Sequence, residues 1–86
     1  MRELQWSLLK SERLKRTRGA SFEDLLQARL IAVKEHPKRP HQRLLLFEYK
    51  NYVWVVPCVV SNEEVFLKTL FPSRKYTALY KRGELR

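Results

Sequence analysis

The chain has 86 residues, 44% of them apolar and 12% aromatic, and eighteen Lys and Arg against nine Asp and Glu leave a net charge of +9. Residues 1–86 suit one domain with one modest core, burying about 60–65% of the unfolded surface, and the apolar fraction excludes a disordered chain. A lone cysteine, Cys58, excludes an intrachain disulfide framework and a four-thiolate zinc site, and it fits a reducing compartment.

Leu4-Gln5-Trp6-Ser7 alternates apolar and polar side chains and can form a short strand. From Leu8 the spacing turns helical: Leu8, Ser11 and Leu14 recur every third residue, and Gly19 is a natural helix stop. The apolar stripe is thin, and Lys10, Arg13 and Arg16 form a basic face that is either an ordinary solvated surface or a contact for a polyanion. Ser21 and Asp24 have the spacing of a capping box, which opens a second helix with Phe22, Leu25 and Leu26 facing the core. That helix is expected to fade near Ala28 or Arg29. Residues 30–35 read either as a last helical turn or as a further main strand.

His36-Pro37-Lys38-Arg39-Pro40-His41 is a loop, because two prolines three residues apart forbid regular structure. Three strand-like runs follow: Arg43 to Tyr49, Tyr52 to Val60 and Val65 to Phe71. In the third, alternation puts Phe66, Lys68 and Leu70 on one face and Val65, Leu67, Thr69 and Phe71 on the other. Pro57 marks a bulge or an unpaired edge in the second run. The connections Lys50-Asn51 and Ser61-Asn62-Glu63 are short and polar, which favours antiparallel hairpins. Ser73 can cap a last helix that carries Tyr76, Leu79 and Tyr80 and ends at Gly83. The expected architecture is α+β, in the order β-α-α-β-β-β-α, with one antiparallel sheet packed by helices.

Charge is unevenly spread. Residues 1–20 hold six basic and two acidic side chains, residues 72–86 hold five and one, and the middle is nearly neutral. If the first and last helices meet on one side of the sheet, these ends form a single basic patch for a polyanion.

Several chemistries lack their residues. Gly19 and Gly83 are the only glycines, so there is no phosphate-cradling glycine loop. His36 and His41 lie in a loop without neighbouring Cys or Asp, so no metal site and no cofactor is expected. Cys58 sits in an apolar strand without a flanking base and reads as a core thiol. The longest apolar run has nine residues, Tyr52 to Val60, whereas a membrane helix needs about 20. The N-terminus also lacks the apolar stretch of a signal peptide. What remains is Arg, Lys and Tyr near basic ends. Those groups suit metal-free RNA cleavage, in which the RNA's own 2′-hydroxyl attacks the adjacent phosphate and the protein supplies forked donors and proton carriers. The same groups equally suit binding without cleavage.

Two stretches resemble motifs of BrnT-type toxins, within the wider RelE/ParE superfamily. Thr17-Arg18-Gly19-Ala20-Ser21-Phe22-Glu23-Asp24 resembles the family's Lys-His-Gly-Val-Ser-Phe-Glu-(Glu/Asp) junction between its first two helices. Pro72-Ser73-Arg74-Lys75-Tyr76-Thr77, followed by Tyr80, resembles the Ser-Ala-Arg-Lys-Ala-Thr segment that enters the last helix. The resemblance spans nearly the whole chain and implies a RelE-like fold and the cytoplasmic toxin of a type II toxin–antitoxin pair. It implies a metal-independent endoribonuclease that leaves 2′,3′-cyclic phosphate ends and inhibits translation. It also implies a small antitoxin, commonly of the ribbon-helix-helix type, with operator DNA reached only through that antitoxin. Arg18 stands where many of these toxins have histidine, and arginine is a poor general base.

On this reading Arg74, Tyr80 and Arg18 are the candidate catalytic residues, with Tyr80 as acid or base. Arg43, Lys10, Arg13, Arg16 and Lys68 are candidates for holding RNA, which includes ribosome-bound mRNA. The alternative is a nucleic-acid-binding module without catalysis, or an inactive toxin homologue that still binds an antitoxin.

Overall fold

A computed structural model describes residues 2–85. Its centre is a hairpin of β3 (Gln42–Tyr49) and β4 (Tyr52–Val60), paired from Tyr49↔Tyr52 down to Gln42↔Val59. Lys50 and Asn51 both have positive φ, 52° and 64°, which is the tight turn that matches the strand twist. β2 (Arg29–Glu35) pairs antiparallel with β3, so residues 30–35 are strand and not a helical turn. β5 (Glu64–Leu67) and β6 (Phe71–Pro72) line the other edge of β4. β1 (Glu3–Gln5) completes the order β1-β5-β4-β3-β2.

The sheet is antiparallel except at that last position, where β1 runs parallel to β5. This departs from the all-antiparallel expectation. A parallel pair needs a long crossover, and here two helices and three strands lie between the partners.

The helices follow their capping signals. α1 (Leu8–Arg18) starts at Ser7, whose hydroxyl accepts from Lys10 N, and stops at Gly19 in the left-handed region at φ 93°. α2 (Phe22–Leu26) opens with the Ser21/Asp24 capping box and ends at Leu26, two residues before the expected fade. α3 (Arg74–Lys81) is capped by Ser73.

The third strand-like run is broken. Three steps along β4, from Cys58 to Val55, face four steps from Leu67 to Phe71. The extra residue is a bulge opposite Pro57, which offers its carbonyl to Lys68 N at 2.9 Å but has no N–H to give on that edge. Adding one residue inverts the alternation beyond it. Leu67 and Leu70 therefore enter the same core, and Phe71 pairs with Val55 of the other face. This overturns the expected grouping of Leu70 with Phe66 and of Phe71 with Leu67.

Each sheet face has its own cover. Phe47, Trp54, Val56, Cys58 and Leu67 pack against Leu14, Phe22 and Leu25 of α1 and α2. Leu46, Val53 and Val55, on the alternate positions, pack against Tyr76 and Tyr80 of α3. The first and last helices thus lie on opposite faces, and the two basic ends do not merge into one patch. Adjacent strand residues point to opposite faces, so β4 can bury both its sides and needs a helix on each.

β6 is only two residues long, and α3 takes over its pairing with β4. Ser73 N donates to Val53 O at 2.9 Å, and Val53 N donates to Thr77 Oγ1 at 2.8 Å. Thr77→Val keeps the shape but leaves a buried N–H without an acceptor. A loss of about 1–3 kcal/mol in urea unfolding is expected, with the folded spectrum retained.

Candidate functional site

Arg74 is the first residue of α3 and is exposed, and among the described residues no ion pair occupies it. Six residues on, Tyr80 is half-buried over Leu46, Val53 and Val55. Its hydroxyl donates to Glu48 Oε1 at 2.9 Å. The hydrogen bond to that carboxylate raises the phenol above its ordinary range, and the nearby Arg29 charge pulls weakly the other way. Tyr80 therefore keeps its proton, which it shares with the Glu48 side chain. Arg29 stands opposite Glu48 in the β2–β3 register.

Glu48 and Arg29 were missed at the level of sequence. Their signal depends on the register of β2, and residues 30–35 read as either strand or helix. Alternation along residues 43–49 would have placed Glu48 on the face of Leu44 and Leu46, but nothing local placed Tyr80 above it.

The remaining candidates lie elsewhere. Arg18 donates to the Leu70 carbonyl at 2.6 Å and to Thr69 Oγ1 at 3.5 Å, which ties the end of α1 to the bulge. Lys68 is exposed in the same bulge. Arg13 and Arg16 are exposed and Lys10 half-buried on α1, over the sheet face away from α3. Arg43 is half-buried opposite Cys58 on that same face, with one guanidinium nitrogen donating to Pro40 O and Gln42 O at 2.9 and 3.0 Å. The structure thus places Tyr80 and Arg74 on one helix, six residues apart. It separates them from Lys10, Arg13, Arg16 and Arg43, so these eight residues do not form one contiguous site.

Cys58 is buried, and burial pushes its thiol up despite the Arg43 charge nearby, which leaves it a packing residue. Among the described residues no three His, Cys, Asp or Glu side chains converge as metal ligands. No helix of the described residues is long and apolar enough to cross a membrane.

A cleft of about 510 Å³ between α1 and α2 is lined by Ser11, Lys15 and Glu23 among others. Ser11, Lys15, Ser21 and Glu23 are already engaged in holding the fold. Glu23 accepts from Ser11 Oγ at 2.5 Å and from Trp6 Nε1 at 2.8 Å, and Ser11 Oγ accepts from Phe22 N. Asp24 accepts from Lys15 Nζ at 2.7 Å. The Ser11 hydroxyl chiefly holds the Glu23 carboxyl below its usual range, and Lys15 does the same for Asp24.

No family model matches the chain, and no curated protein matches it. Among solved structures it is similar to the 1.1 Å crystal structure of BrnT, a ribonuclease toxin of Brucella abortus. The TM-score is 0.53 at 15% identity, over 85% of this chain and 97% of that one. The fold is BrnT-like. The likeness concerns the path of the backbone, and the helix–helix junction and the entry to the last helix are the places where the two sequence motifs fall.

The two lowered carboxyls set an acid limit on stability. A depressed folded value contributes fully above the unfolded range, near pH 4, and its contribution disappears as pH falls through the folded value. Thermal midpoints should stay level from about pH 7 to 5 and drop below about pH 4. Glu23→Gln should lower the plateau and flatten the acid limb, as read by melts across that range.

Proposed function

We propose that this chain is the toxin of a type II toxin–antitoxin pair, a metal-independent endoribonuclease that cuts RNA in the cytoplasm and thereby inhibits translation. The BrnT-like backbone, carrying an unpaired arginine at the start of α3 and a tyrosine–carboxylate pair under the same helix, is the observation that supports this reading. Its partner is a small antitoxin of the ribbon-helix-helix type, through which alone operator DNA is bound. No cofactor is required.

The chemistry follows from the side chains. Arg74 offers a forked donor to the non-bridging oxygens of the scissile phosphate, next to the backbone N–H groups that begin α3. Glu48 takes the proton of the 2′-hydroxyl, and the 2′-oxygen forms its bond to phosphorus. The bond to the 5′-oxygen breaks, and Tyr80 gives that oxygen its proton. The products are a 2′,3′-cyclic phosphate and a 5′-hydroxyl. Glu48 is then protonated and Tyr80 ionised, and one proton crossing their 2.9 Å hydrogen bond restores both. No histidine is needed in this scheme, which fits arginine at position 18. Arg18 holds the bulge that leads through β6 into α3, and Lys68 adds positive charge beside it.

One observation favours the second reading, a homologue that binds RNA or an antitoxin without cutting. Arg18 stands where the resembling toxins carry histidine, and its guanidinium is already engaged by the Leu70 carbonyl.

Incubation with RNA in chelator separates the two readings: cyclic phosphate ends support the nuclease, and retarded but intact RNA supports the binding module. Arg74→Ala should abolish growth inhibition in a folded protein and slow cleavage by about 10²–10³. Arg74→Lys should also be impaired, because a point charge does not replace the fork. Tyr80→Phe and Glu48→Gln should each slow cleavage by about 10²–10⁴ while RNA affinity changes little. Full toxicity of Arg74→Ala would reject the assignment.

A further inference from the structure

We propose that the uncovered end of the sheet face carrying α1 and α2 is a docking groove for an acidic segment of the antitoxin with aliphatic anchors. The proposal rests on the toxin reading above and adds where and by what chemistry the partner binds.

The groove consists of two adjoining cavities, about 630 and 310 Å³, that share Arg2, Arg43 and Val60. Val33, Leu45, Val60 and Val65 form the floor, one residue from each of β2, β3, β4 and β5. α1 and α2 cover much of the rest of this face and leave part of β2 open to solvent. Val33 is 55% exposed, and Leu30, on the same face, is 49% exposed. Branched side chains from four strands therefore line an open trough at a sheet edge. An aliphatic surface of this kind gains by excluding water under a partner's apolar side chains.

Charge narrows the choice of occupant. Arg2 Nε donates to Ser61 O at 2.8 Å, and an Arg43 guanidinium nitrogen donates to Pro40 O at 2.9 Å. Both guanidinium groups are thus held in place by neutral carbonyls. Glu35 stands opposite Arg43 across β2 and β3, yet forms no ion pair with it. Among the described residues no carboxylate lines either cavity. Two fixed, unneutralised arginines at the rim of an aliphatic floor complement carboxylates flanking apolar anchors. RNA is the poorer fit, because the floor is aliphatic and His41, at the rim of the larger cavity, is the single ring among the lining residues on which a base can stack.

This assigns Arg43 to the partner and not to RNA. It also puts the antitoxin on the face opposite α3, so neutralisation does not depend on its covering Arg74.

The test uses the full-length chain and, as probe, the small protein encoded beside its gene. Arg2→Glu combined with Val33→Asp changes two exposed positions and should leave a cooperative melt, growth inhibition and RNA cleavage as in the wild type. Affinity for the probe should fall by about tenfold or more, and co-expression should no longer rescue growth. Arg43→Glu, measured for probe affinity alone, should weaken binding in the same direction. Unchanged probe affinity in both variants would overturn the groove while leaving the toxin reading intact. Weakened RNA binding with unchanged probe affinity would overturn it in favour of RNA. A wild-type chain that neither inhibits growth nor binds the probe would remove the toxin reading and this proposal together.

Discussion

The backbone of Val53 holds the arrangement of the molecule in place. Its carbonyl receives Ser73 N and its N–H reaches Thr77 Oγ1, so the first turn of α3 replaces the strand that β6 is too short to supply. A buried peptide group has to be paired, and here the partner is a helix and not another strand. The helix is thereby pinned across the sheet, with Tyr76 and Tyr80 over Leu46, Val53 and Val55. The Tyr80–Glu48 contact and the position of Arg74 both follow from that docking.

The same central strand explains why the charge is divided. β4 is buried on both faces, so it requires a cover on each, and α1 and α3 supply one apiece. The two basic ends are consequently carried to opposite sides of a sheet about one strand-layer thick, and each faces its own solvent. A single contiguous patch formed by both ends is ruled out by this topology, whatever the net charge. The division leaves one basic surface beside α3 and another, floored by aliphatic side chains, on the opposite face.

The two motifs that carry the family resemblance prove to be joints. Gly19 supplies the left-handed turn, Ser21 and Asp24 cap α2, Phe22 is fully buried, and Glu23 gathers Trp6 and Ser11. In the second motif Ser73 and Thr77 dock α3, and Arg74 is left exposed together with Pro72 and Lys75. Residues of this kind record how helices meet, which is why the likeness to a solved toxin appears in the backbone at 15% identity. The candidate site consists of a few side chains that the joints position, and a shared fold does not by itself transfer a chemistry.

Local signals determined much of this protein from the sequence alone: the three helices with the Ser21 and Ser73 caps and the Gly19 stop, the hairpin at Lys50-Asn51, a bulge or unpaired edge at Pro57 and the α+β class. Each is set by a few neighbouring residues, through φ preferences, capping hydroxyls or a missing N–H. Only the tertiary structure decided that residues 30–35 are a strand, that β1 runs parallel, that Leu70 turns inward and that the basic ends part. These depend on pairings between residues far apart in the chain, and a single added residue in the bulge reverses every side chain after it. The candidate site divides in the same way. Arg74 and Tyr80 were legible because they belong to one helix. Glu48 and Arg29 were not, because they enter through the register of two other strands.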